Sequence, residues 1–314
     1  MANDLFALAD LLKINDISLA DIEVSDLTND APFMAALPFT TATHGTVHKY
    51  TKETGAPVVG FRSANGGRDL DSSVDTGVTA DLNILDFTYA VDKAIADAYV
   101  RGGPTAFLSR EGMRHLRAAM FAYETQLLNG TVDGSTSGFD GFADVLTSLS
   151  DTMVVSAGGS TANTASSAYM VRAGENDVIG VLGNDGVFEL GESVVQQAVV
   201  NPGTDNKTFP SYYTPGTGYT GLQIGGAFSF GRIANLTADS GKGLTDELLY
   251  QLFETFPAGR KPTHVVMNRR SRRQLRSSRT ATNATGAPAP LPAEWEGLPI
   301  VITDAIINTE ALLT

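Results

Sequence analysis

Thirteen residues, MNRRSRRQLRSSR at 267–279, hold six arginines in a chain whose formal net charge is −13. Arg269, Arg272, Arg273 and Arg276 recur at i, i+3, i+4 and i+7, which places them on one helical face, with Arg270 and Arg279 flanking it. Six guanidinium groups this close repel one another and demand anions nearby. Carboxylates of a neighbouring subunit are the favoured partners. Nucleic-acid phosphates and a plainly solvated helix face stand equal behind them. No aromatic residue interleaves the arginines, so stacking on bases is not indicated.

Other stretches suggest chemistry and fall short of it. GTGYTG at 216–221 matches G-x-G-x-x-G, but a dinucleotide site needs an apolar strand before it and a helix after it. Here SYYTP precedes and the strand-like LQIGGAFSF follows, so the stretch is expected to be a loop. DGSTSGFDGFAD at 133–144 has the outline of a calcium loop, with serines at ligand positions and Asp144 where a bidentate glutamate belongs. Calcium is not expected there. His44 and His48 lie four apart in a hairpin rather than on a helix, and no third metal ligand accompanies them. Cysteine is absent, which excludes disulfides, thiol nucleophiles and cysteine metal sites. No G-x-S-x-G, no P-loop and no evident carboxylate pair is present. No cofactor, metal or catalytic set is therefore expected, and the chain reads as a non-enzyme.

The elements that carry these residues follow from hydrophobic spacing. Residues 1–37 read as an arm: Leu5, Leu8, Leu11 and Leu12 have helical spacing, then only short apolar patches follow. Such a segment orders only against something else. Residues 45–63 read as a hairpin turning at TGAP, polar on both faces and thus projecting, with ANGGRD closing it. ILDFTYAV alternates, with Leu85, Phe87, Tyr89 and Val91 on one face of a single strand, and DKAIADAYVRGG follows as a short helix. The clearest helix covers 109–129, with Ser109 as N-cap and an apolar stripe of Met113, Leu116, Met120, Tyr123 and Leu127.

Residues 166–237 read as all-β. GLTDELLYQLFETF is a second amphipathic helix, on Leu244, Leu248, Leu252 and Phe253. THVVMN is a buried strand whose Asn268 caps the arginine helix, ATNATGAPAPLPAE is a loop, and GLPIVITDAI is the last strand.

Composition narrows the function. No apolar run is long enough to span a membrane, and the opening residues lack the basic start of a signal peptide. Residues 260–279 hold eight of the 22 basic residues and no acidic one, leaving 14 basic against 35 acidic residues elsewhere. An acidic body with one basic stripe suits contact between copies better than wrapping of a polyanion. Two other classes stay open: a nucleic-acid-binding protein using 267–279, and a hydrolase with unrecognised carboxylates.

In order, a loose arm, the hairpin GTVHKYTKETGAPVVGFRSANGG, a long helix ending ETQLLNG, a GFDGF loop, a β-rich block and the ending VVMNRRSRRQL … WEGLPIVITDAI resemble the major capsid proteins of tailed bacteriophages, the Hong Kong 97 type. The resemblance covers nearly the whole chain. It implies an α+β fold with an N-terminal arm (1–37), an extended loop (38–79), a peripheral domain (80–237) with a spine helix at 109–129, and an axial domain (238–314). The β-rich block precedes the axial-like segment, which resembles the permuted order of some tailed phages.

The function implied is a structural shell subunit forming hexamers and pentamers of an icosahedral head around double-stranded DNA. It would be made in the bacterial host cytoplasm and reside in the virion. Portal, scaffold and cement or decoration proteins are the implied partners, with no membrane. The short arm implies a separate scaffold or none. Arg269, Arg270, Arg272, Arg273, Arg276 and Arg279, with His48, Lys49, Tyr50, Lys52, Phe61 and Arg62 of the hairpin, are the candidate inter-subunit contacts. A cellular nanocompartment shell is the neighbouring reading with the same fold.

Overall fold

The computed structural model describes residues 31–98, 103–132, 137–200, 207–281 and 287–314. The chain first forms a short helix α1 (Pro32–Ala36), then strands β1 (Phe39–Thr41), β2 (Val47–Gly55), β3 (Val74–Asp81), β4 (Asn83–Asp86) and β5 (Tyr89–Asp92). A short helix α2 (Lys93–Asp97), the long helix α3 (Gly103–Asn129) and a one-turn helix α4 (Phe142–Val145) follow. Next come β6 (Val154–Ser156), β7 (Ser166–Val171), β8 (Val178–Leu182), β9 (Glu189–Leu190), β10 (Val194–Val200), β11 (Lys207–Thr214), β12 (Gly216–Ile224) and β13 (Phe230–Leu236). The chain closes with α5 (Asp246–Glu254), β14 (His264–Met267), α6 (Arg269–Ala281), β15 (Glu294–Trp295) and β16 (Leu298–Ile302).

The apolar stripe makes α3 the axis of the first core. Leu116, Met120, Tyr123 and Leu127 are buried, and Met113 is half-buried. The helix starts six residues earlier than expected, so Ser109 lies inside it and is not its N-cap. Pro104 is tolerated in the first turn, where backbone N–H groups have no intrahelical partner. Phe107 and Leu108 then extend the buried face. Its 27 residues span about 40 Å at 1.5 Å per residue. The Tyr123 hydroxyl donates to Gly221 O (2.8 Å), fixing the helix to the sheet β1-β8-β12-β4, in which β9 also pairs with β12. Phe33, Phe142, Tyr169 and Phe188 fill the space around it.

A second core lies under the six-stranded sheet β15-β16-β14-β7-β13-β6. Leu249 and Leu252 of α5, Leu275 of α6, Val265 and Met267 of β14, and Trp295 pack together there. Thr245 caps α5 by accepting from Leu248 N, with Asp246 and Glu247 in the first turn, where they complement the helix dipole. The sheet joins β6, β7 and β13 to β14, β15 and β16, so a division at residue 237 separates hydrogen-bonded neighbours.

Three further expectations change. GTGYTG is not a loop: it lies in β12, paired with β4, β8 and β9, and no helix follows, so the dinucleotide reading fails for a firmer reason. ILDFTYAV is not one strand. Its alternation holds, with Phe87 and Tyr89 buried, but the chain steps between sheets at Phe87-Thr88, where Asp86 Oδ1 accepts from Thr88 N (2.9 Å). The hairpin does not turn at TGAP. The partner of β2 is β3, with Val47 opposite Asp81 and Lys52 opposite Thr76, and residues 56–73 form the connection.

Candidate inter-subunit surfaces

The arginine helix forms as the spacing predicts. Asn268 Oδ1 accepts from Ser271 N (2.9 Å), while its amide donates to Ser166 Oγ (2.8 Å) and Asn308 Oδ1 (2.9 Å), which locks the cap in place. Ser271 and Leu275 face the core. The arginines find partners within their own chain, which the sequence reading did not weigh. Arg270 donates twice to Thr164 O (3.0 Å each) and once to Leu236 O (2.8 Å). Arg272 Nε donates to Pro292 O (2.8 Å), and Arg276 Nε to Ala289 O (2.6 Å). Arg279 grips Asp246 with two bonds of 2.8 and 2.6 Å, and this pairing raises its pKa.

For Arg272 and Arg276 the cause is plain: the irregular segment that holds Ala289 and Pro292 has carbonyls without a strand ladder, and guanidinium is rich in donors. Trp295 Nε1 on Asp246 (3.1 Å) and Tyr250 on Glu296 (2.6 Å) complete this seam. Arg269 pairs with Asp304 at 2.9 Å in the open, its side chain 78% exposed, and Arg273 is exposed. The stripe therefore leaves Arg269 and Arg273 as its outward cations.

The hairpin is two-part. At its base His48, expected on a projecting surface, is buried: its Nε2 lies 2.7 Å from Gln223 Oε1, whose amide donates to Glu175 O (2.7 Å). Half-buried Tyr50 donates to Ile224 O (3.2 Å), and burial raises its pKa. These two residues bind the hairpin to its own body. Lys49 is exposed and Lys52 half-buried. Beyond Gly55 the chain stands clear, with Val58, Val59, Phe61 and Leu70 between 70% and 109% exposed. Its internal order comes from Asp71 accepting from Val58 N (2.8 Å) and Arg62 donating to Gly66 O (3.2 Å).

Of the arm, residues 1–30 lie outside the described residues. Ala31, Phe33 and Leu37 are buried in the chain's own core, so the root of the arm needs no partner. The holding group is Glu124, which sequence reasoning passed over. Its carboxylate accepts from Phe33 N (2.8 Å), Met34 N (3.0 Å) and the Thr303 hydroxyl. Burial raises its pKa against the pull of these bonds. Arg232 is a second missed residue. Its guanidinium, 4% exposed, reaches Glu310 Oε2 (2.9 Å), Ser167 Oγ (2.9 Å), Ala143 O (2.9 Å) and Leu146 O (2.7 Å). With Asn235, which bonds Leu313 N and O (2.8 and 3.0 Å), it straps the C-terminal segment across the sheet. Both had a signal: Glu124 sits inside the apolar stripe of α3, and Arg232 inside the apolar run of β13.

Among the described residues no cluster of three or more His, Asp or Glu side chains could hold a metal ion. The calcium-like stretch lies partly outside the described residues, and its Asp144 is in α4. No described helix is long and apolar enough to cross a membrane.

A buried arm root and an anchored hairpin with an exposed apolar tip are features that a shell-forming structural protein would present. The chain belongs to the major capsid protein GP7 family, whose model matches residues 17–314. No curated protein matches its sequence. Among solved structures, a chain of bacteriophage Epsilon15 is 19% identical with a TM-score of 0.61, covering 88% of each chain. A chain of the bacteriophage JBD30 capsid is 11% identical with a TM-score of 0.49, covering 92% of this chain and 95% of that one.

The fold is the α+β Hong Kong 97 type, and the protein is a non-enzymatic major capsid protein of the virion that self-assembles into a shell. The rivals named from sequence have less support. Most of the arginines that a nucleic-acid grip needs are committed within the chain.

Proposed function

We propose that this chain builds rings of five and six copies that close into an icosahedral head around double-stranded DNA. Portal, scaffold and decoration proteins are its partners, and it is made in the bacterial host cytoplasm. The exposed hairpin tip carries the reading: Val58, Val59, Phe61 and Leu70 stand in water at the end of an anchored base. Apolar groups so presented gain free energy only when a neighbour covers them. Residues 38–79 act as the extended loop that laps a neighbouring copy, with Phe61, Arg62, Lys49 and Lys52 at the contact. Residues 1–37 act as the arm and α3 as the spine of the peripheral domain.

The axial domain is best drawn as the six-stranded sheet with α5 and α6, so that it takes β6, β7 and β13 from before residue 237. Arg269 and Arg273, the outward cations, meet carboxylates of a neighbouring copy. This division sets axial strands β6 and β7 directly after the spine helix, so the permuted order suggested by sequence no longer follows from a break at residue 237. The test is assembly. The chain expressed alone should give closed particles or rings of five and six by negative-stain microscopy and sedimentation. Trypsin should cut at Arg62 and Arg68 in the free subunit and not in the particle. A stable monomer at high concentration would overturn the reading.

A further inference from the structure

Among the described residues, one long open strand edge carries no charge to guard it. β10 is the outer strand of the sheet β10-β11-β5, and among the described residues nothing pairs with its far edge. It runs against β11 without a bulge for seven residues, from Val194 opposite Tyr213 to Val200 opposite Lys207. Val194, Val195, Gln196 and Gln197 are all exposed, and since neighbours along a strand point to opposite faces, both faces are open. The strand reads VVQQAVV, with no charge and no proline. Proteins protect open edges with lysines, prolines, bulges or short strands, and β10 has none of these. The open strands of the hairpin, by contrast, carry Lys49, Lys52, Glu53, Asp75 and Asp81.

The register says which groups face outward. In an antiparallel pair, opposed residues alternate between bonding each other and turning their polar groups away. Gln197 lies opposite Pro210, which has no N–H to give. The Ser211 hydroxyl donates to Gln196 O (3.3 Å), so that carbonyl turns towards β11. Val195, Gln197 and Val199 therefore present N–H and C=O to the open side.

The order of residues is nearly the same read in either direction about Gln197. Two antiparallel copies centred there would set Gln197 against Gln197 of the partner subunit, Val195 against Val199 of the partner subunit, and Val194 against Val200 of the partner subunit. No like charges meet, and every outward polar group gains a partner. We infer that β10 is a two-fold contact between copies of this chain, joining two three-stranded sheets into one of six. The inference rests on the shell reading for its two-fold axes, at which the same patch serves both copies.

The absence of cysteine allows a direct test. Opposed Cα atoms of a hydrogen-bonded antiparallel pair lie about 5.5 Å apart, inside the roughly 4.4–6.8 Å span of a disulfide. Assembled particles of Gln197→Cys should give a disulfide dimer on oxidation. Val194→Cys should stay monomeric, because its two copies would lie about 20 Å apart at 3.4 Å per residue. Particles in which Gln197→Cys stays monomeric, or in which Val194→Cys links as well, overturn the pairing and leave the shell reading standing. Failure of the unaltered chain to form any particle refutes the shell reading and the pairing with it. Cryo-electron microscopy of the unaltered particle reads the same point without a variant. Density joining β10 to its copy across a two-fold supports the pairing, and a hairpin or another protein on that edge overturns it.

Discussion

Replacing Arg232 with methionine keeps much of the apolar stem and removes every donor. The guanidinium makes four hydrogen bonds, to Glu310 Oε2, Ser167 Oγ, Ala143 O and Leu146 O, and the side chains of the ion pair are 4% and 9% exposed. After Arg232→Met the Glu310 carboxylate keeps the Ser167 hydroxyl at 2.6 Å, while its Oε1 has no partner among the described residues. Breaking a buried pair in this way costs about 3–5 kcal/mol, a loss of roughly a hundred- to several-thousand-fold in the folding constant. Arg232→Met with Glu310→Leu removes both charges and should recover about 1–2 kcal/mol of that loss, because a well-packed apolar pair carries no desolvation cost. The unrecovered part belongs to the carbonyls of Ala143 and Leu146. Urea unfolding of the unassembled subunit measures it, followed by the fluorescence of Trp295, the single tryptophan, which is buried in the same sheet's core. A loss under about 1 kcal/mol for Arg232→Met, or a double variant as unstable as the two single losses added, would refute the reasoning.

Three further outcomes are expected. Because the fold raises the pKa of Glu124, the folded chain holds that proton to higher pH than the unfolded chain does. Its contribution to stability therefore grows as pH falls from the raised value to the ordinary carboxylate value and is level outside that window. Glu124→Gln should flatten that slope in unfolding free energies taken between about pH 4 and 8, and an unchanged slope would count against the assignment. Gly225→Ala would place a Cβ 1.9 Å from the backbone oxygen of Asn176, which cannot swing away, so a loss of about 1–3 kcal/mol is expected by thermal unfolding. Arg272→Ala and Arg276→Ala free the carbonyls of Pro292 and Ala289. Faster amide exchange over residues 287–295 should follow in the free subunit, with about 0.5–1.5 kcal/mol lost for each bond. No change in exchange would return these arginines to the role of pure inter-subunit contacts.

The sequence by itself determined the elements whose periodicity is strong. The 3–4 spacing of Leu116, Met120, Tyr123 and Leu127 made α3, and the capping Asn268 with its arginine run made α6. Largely apolar runs made β7, β8, β13 and β14, because a strand covered on both faces favours apolar residues on both and admits a polar one only where it finds a partner. The order of these pieces carried the family resemblance.

What pairs with what was decided by tertiary structure. β2 finds β3 across eighteen residues, and β7 and β13 join β14, because strand pairing depends on register and burial that no local pattern encodes. The arginine face was legible as a helix face and not as a set of contacts, since its acceptors are carbonyls and one carboxylate scattered over separate segments, from Ala289 to Thr164. Glu124 and Arg232 looked like isolated charges in apolar runs. Only the fold brings Phe33, Thr303 and Glu310 to them, and a buried charge is stable only where such partners converge.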